Sequence, residues 1–65
     1  MERNERNTKK IIKKLIGIYG SKEAVAVAVG KTGTYIQMMQ KGTVPSDSLF
    51  EKLVGLTDVE QTRNV

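Results

Sequence analysis

The chain of 65 residues contains no cysteine and no histidine. No disulfide can staple it. A zinc ion would have to be held by carboxylates alone, a poor match to that ion's usual sulfur and nitrogen ligands. The same two absences weigh against an enzyme. General acid–base chemistry most often uses histidine, and covalent chemistry often uses cysteine. The seven carboxylates form no close pair in an apolar setting. No catalytic residue, metal or cofactor is therefore expected, and the lack of cysteine fits a reducing, cytoplasmic location. Tryptophan is also absent, with only one phenylalanine and two tyrosines present. A small basic RNA-binding protein is thereby disfavoured, because single-stranded RNA is held on aromatic stacking platforms. There is no run of about eighteen apolar residues, so no segment is expected to span a membrane. The polar start, Met1 to Asn7, lacks the apolar stretch of a signal peptide.

What is present fits one small domain with a thin core, a size at which a staple or a partner is usually needed. The net charge is +4, and it is unevenly placed. Residues 1–42 carry nine Lys or Arg against three Glu, giving +6, and residues 43–65 carry two against four acids, giving −2. A basic front and an acidic back point to a polyanion facing one side of the molecule.

Along the chain, residues 1–7 lack apolar side chains and read as a flexible arm. A helix is expected from about Thr8, a fair N-cap. Ile11, Ile12, Leu15, Ile16 and Tyr19 then fill one face of it, and Lys9, Lys10, Lys13 and Lys14 fill the other. Gly20 suits the left-handed residue that ends a helix. This basic amphipathic pattern also suits a helix lying on a membrane surface. A bundle that needs its back covered requires the same pattern and explains it better. Ser21 is the next N-cap, with Glu23 in the first turn.

Residues 24–29, Ala-Val-Ala-Val-Ala-Val, are ambiguous. Their alternation and valines suit a strand, and their alanines and cap suit a helix. Thr32 or Thr34 caps a further helix holding Tyr35, Ile36, Met38 and Met39, closed by Gly42. Thr43 to Pro45 is a linker, with Pro45 a good first helical residue. Leu49, Phe50, Leu53 and Val54 mark one face of the next helix, Asp47 lies in its first turn, and Gly55 lies near its end. Thr57 with Glu60 three residues on matches a capping box, so residues 57–65 read as a short turn and tail. Val29-Gly-Lys-Thr32 resembles the end of a phosphate-binding P-loop, but that pattern needs a glycine where Val25 stands.

Residues 22–42 carry the most specific signal. Ala26 is small, Gly30 follows it by four, and the β-branched Ile36 follows by six more. Val25, Val29 and Met39 are apolar between and beyond them, and Gly42 comes after. This spacing resembles the helix-turn-helix of the phage Cro and lambda-repressor family, and the likeness covers residues 8–56. Two helices crossing steeply need a small side chain where they touch, and the turn between them needs a residue that tolerates positive φ. Two positions depart from the family. Val27 is apolar where the family is usually polar, which suggests that it packs on another element or in a dimer contact. Gly33 lies in the first turn of the second helix, where a side chain often reads a base.

The resemblance implies an all-α bundle of four to five short helices that binds an operator in double-stranded DNA and regulates transcription as a Cro-like repressor. An antitoxin or another small operon autoregulator of the same fold is the alternative. In this family the second motif helix, here about residues 33–41, enters the major groove. Carried over, Thr32, Thr34, Gln37 and Met38 become candidate base readers. Gln37 suits adenine, and Met38 suits a thymine methyl. Ser21, Lys22, Tyr35 and Lys41 become candidate phosphate contacts. Val25, Ala26, Val29, Gly30, Ile36 and Met39 hold the motif together. The outward face of the second helix carries no acid. A homodimer is expected, formed in solution or only on the DNA, with its contact between Leu49 and Val59.

Overall fold

The structure, a computed structural model, describes residues 1–63, with side chains through residue 58. It consists there of four helices: α1 (Glu5–Tyr19), α2 (Lys22–Val29), α3 (Gly33–Gln40) and α4 (Asp47–Arg63). No strand occurs among the described residues.

Side-chain caps decide where the first three helices begin. The Asn4 side chain accepts from Asn7 N–H at 2.8 Å, Ser21 Oγ from Ala24 N–H at 3.1 Å, and Thr32 Oγ1 from Tyr35 N–H at 3.2 Å. Each oxygen satisfies one of the donors that a helix start leaves without an intrahelical partner. At the other end of α1, Gly20 adopts φ 98° and donates its N–H to Ile16 C=O.

The first seven residues are not the loose arm that their polarity suggests. The helix starts at Glu5 rather than near Thr8. Thr8 is buried inside it, and its hydroxyl donates to the Asn4 carbonyl at 2.7 Å. Ahead of the helix, Arg3 donates from its guanidinium to the Pro45 carbonyl at 3.0 Å and pairs with Asp47. Polar groups alone tie this segment down, which is why no apolar pattern announces it.

The chain's second half departs from expectation in two places. Pro45 is buried ahead of α4 rather than serving as its first residue. Gly55 does not end α4, which continues to Arg63. Thr57 opens no new turn. It is buried within α4, and its hydroxyl donates to the Val54 carbonyl at 2.7 Å.

Residues 24–29 are helical, and packing decides this. Val25, Ala26 and Val29 are buried on one face of α2, whereas Val27 is 83% exposed. A strand would have put Val25, Val27 and Val29 on the same side. Val27 is therefore not packed on another element of the chain, the first of the two roles expected for it.

The core is formed by Ile11, Ile12, Leu15, Val25, Ala26, Val29, Ile36, Met39, Leu49, Phe50 and Leu53. The central element is α1, which packs against each of the other three helices, while α2 also packs on α3. Each fully buried Ile, Leu, Val, Phe or Met contributes roughly 1.5–3 kcal/mol of transfer free energy. Ile36 and Met39 are fully buried, so they fix the rotation of α3 and determine which of its side chains face outward.

Candidate nucleic-acid interface

The turn between α2 and α3 is closed by backbone hydrogen bonds. Gly30 has φ 71° and ψ 33°, and it donates to Val27 C=O at 3.3 Å. Lys31 N–H reaches back to Ala26 C=O at 2.9 Å. This six-to-one bond is the Schellman ending of a helix, and it requires the left-handed residue that glycine supplies. Ala26, 3% exposed, lies within this helical pair, and its methyl group leaves room for the close approach. Val25, Val29, Ile36 and Met39 fill the remaining space, so five of the six residues assigned to holding the motif are buried, and the sixth, Gly30, is exposed and closes the turn.

With Ile36 and Met39 inward, Thr34, Gln37, Met38 and Lys41 are exposed along the outer side of α3 and just past its end. Met38 is 45% exposed. No residue of α3 is acidic. Thr32 is exposed, but its oxygen already accepts from Tyr35 N–H, so it offers chiefly its O–H as a donor. Ser21 stands in the same relation to α2, with its oxygen engaged by Ala24 N–H. Lys22 follows it, half-buried, in the first turn of α2. Tyr35 is half-buried. Its ring lies under the Lys31 ammonium, 5.8 Å from nitrogen to ring centroid. A cation held on an aromatic face in this way is attracted by the ring quadrupole.

Three features of this surface are not legible in the sequence. The first is Lys31, which the turn and Tyr35 hold between the two motif helices. The second is a contribution from α1. Lys9, Lys13 and Ile16 line an open cleft of about 310 Å³ together with Gln40 of α3. Lysines assigned to the back of the molecule thus flank one side of α3. Lys9 is paired with Glu5 at 3.2 Å, and Lys13 makes no ion pair among the described residues. The third is an acid. Glu23 reaches from α2 to the start of α3, where a Cβ built on Gly33 would lie 3.8 Å from Glu23 Cγ. The face of α3 itself is free of acids, but its first turn has one beside it.

The expected dimer contact is mostly occupied within the chain. Leu49, Phe50 and Leu53 are buried in the core, leaving Val54 and Leu56 half-buried on α4. The side chains of Val59 and of Glu60, the second member of the capping box, lie outside what the structure describes.

Among the described residues, no group of three or more acidic, cysteine or histidine side chains is placed to hold a metal ion. Among the described residues, no helix is long and apolar enough to cross a membrane. Compared with protein-family models, with curated proteins and with solved structures, the chain finds no match.

Proposed function

We propose that this protein is a sequence-specific double-stranded DNA-binding transcriptional regulator of the Cro-like helix-turn-helix kind. In this reading α3 enters the major groove and the protein represses from an operator. One observation carries it. A helix anchored inward by Ile36 and Met39 presents an outward face of Thr34, Gln37, Met38 and Lys41, without an acid, on a rigid Gly30 turn.

The chemistry of that face supports the reading. An amide pairs with adenine through two hydrogen bonds, a hydroxyl bonds a base edge or a phosphate, and a thioether packs on a thymine methyl. Lysines at both ends of the helical pair, Lys22 and Lys41, and along its flank, Lys13, neutralise phosphates. Lys31 and the Ser21 hydroxyl add to them. Each lysine strengthens binding to any sequence, and the α3 side chains choose among sequences.

The protein acts by binding, without catalysis or cofactor, in the cytoplasm where DNA is accessible. One eight-residue recognition helix makes few base contacts, so two copies act on a two-fold symmetric operator, paired in solution or on the DNA. The test is fluorescence anisotropy on labelled duplexes across a salt series. The expected result is saturable binding whose affinity falls steeply as salt rises. Binding that ignores salt, or none at low salt, overturns the proposal.

A further inference from the structure

Gly33 leaves a vacancy at the start of the helix that faces outward for recognition. It is the first residue of α3, it is half-buried, and it has no side chain to offer. The vacancy has a neighbour. A Cβ built on Gly33 would lie 3.8 Å from Glu23 Cγ and 4.0 Å from Glu23 Oε2. Apart from its chain neighbours Thr32 and Thr34, no other side chain comes within 4 Å of that position. Both distances are ordinary van der Waals contact, so the acid lies against the glycine without crowding it.

Glu23 is exposed, and it makes no ion pair among the described residues. It belongs to the first turn of α2. Its carboxylate therefore lies near the starts of two helices, α2 and α3, whose positive ends favour a negative charge. An ionised carboxylate is an acceptor only. Against a duplex it is repelled by phosphates and by the acceptor edges of guanine and thymine. In the major groove it is satisfied by an exposed amino group, and cytosine N4 is the amino group that carboxylates read.

We infer that Glu23 is a specificity-determining residue that takes over the base-reading place left open at Gly33 and selects a cytosine in each half-site. This rests on the proposed placement of α3 in the major groove. The selection is largely by exclusion. Where guanine or thymine stands at that position, the carboxylate is buried against an acceptor edge without a partner, which costs more than the cytosine contact gains. Glu23 thus weakens binding to DNA in general and spares the sites that carry the amino group. Gly33 is part of the same device, because a longer side chain at residue 33 would displace the carboxylate.

The test is binding-site selection from random duplexes with the full chain, run in parallel on wild type, Glu23→Gln and Glu23→Ala. Circular dichroism confirms that each variant is folded. Wild type is expected to enrich cytosine at one position per half-site. Glu23→Gln is expected to move that position toward adenine, which an amide reads through N6 and N7. Glu23→Ala is expected to lose the preference there by about tenfold, with other positions kept, and to bind random duplex more tightly. If all three select the same base with the same margin, Glu23 does not read DNA. If every position weakens together while thermal stability falls, Glu23 is only a support for the helix starts, and the inference is overturned. If wild type enriches no sequence at all, the DNA-binding proposal falls and takes this inference with it.

Discussion

The Arg3 guanidinium donates to the Pro45 carbonyl at 3.0 Å, joining residues 42 apart in the chain. It also pairs with Asp47 in the first turn of α4. One side chain thus fixes the start of α1 against the linker that launches α4. The Arg3 side chain is 42% exposed and that of Asp47 84%, so the ion pair contributes little on its own. Arg3→Ala is expected to cost about 0.5–1 kcal/mol, mainly through the carbonyl bond. Asn4→Ala, which removes the α1 cap, is expected to cost about 1 kcal/mol. Thermal melts check both, since each 1 kcal/mol shifts the midpoint of a domain this size by roughly 4–8 °C. No change in either variant would mean that the N-terminal segment is not held as the structure has it.

Glycine substitutions should divide by backbone geometry. Gly17 and Gly55 lie within α1 and α4, and a Cβ at either meets nothing within 4 Å. Gly17→Ala and Gly55→Ala should each stabilise the fold by about 0.5–1 kcal/mol. Gly30 is at φ 71°, so Gly30→Ala should destabilise by about 1–2 kcal/mol despite equally open space. Chemical denaturation distinguishes them. Destabilisation by Gly55→Ala would indicate that α4 does not run continuously through that position.

The fold was legible where burial follows apolar spacing. Ile11, Ile12 and Leu15 announced the inner face of α1, and Ile36 and Met39 that of α3. It was illegible where polar groups carry the structure. Arg3, Asn4 and Thr8 anchor the N-terminal segment through hydrogen bonds that leave no period in the sequence. Thr57 continues the inner face of α4 while looking like a cap. At residues 24–29 local propensity suits either structure, and the helix expected there, because only a helix puts Ala26, Gly30 and Ile36 to use together, is the one that forms. For the candidate site, residues of α3 could be named only as what the resemblance to the helix-turn-helix family implies. Lys13 and Glu23 could not, because tertiary packing brings them beside α3 from other helices.

Lysine variants should act on all DNA alike. Lys22→Ala and Lys41→Ala are each expected to lower the salt slope of binding by about one and to weaken specific and random duplexes equally. Lys13→Ala should do the same, because its cleft with Gln40 opens along the flank of α3. Titrations at several salt concentrations measure this. A normal slope for Lys13→Ala would confine the phosphate contacts to the helical pair and its turn.

Core variants should separate folding from recognition. Ala26→Leu inserts three carbons into a site that is 3% exposed and should cost about 1–3 kcal/mol. Met39→Ala should cost about 2–5 kcal/mol and unfold much of the population. Gln37→Ala, on the exposed side of α3, should leave the melting temperature within a few degrees of wild type. Unfolding by Gln37→Ala would mean that α3 is rotated about its axis.

The most direct measurement of whether α3 reads DNA is selection of binding sites from random duplex by wild type and Gln37→Ala, both verified as folded. Wild type should enrich a two-fold symmetric site with half-sites about 34 Å apart. Gln37→Ala should lose its preference at one adenine-bearing position per half-site by about tenfold or more, as a bidentate amide–adenine pair is worth roughly 1–3 kcal/mol. Its affinity for random duplex should stay nearly unchanged. Enrichment of the same site with the same margin by both proteins, or of no site by wild type, would contradict base recognition by Gln37 from the groove.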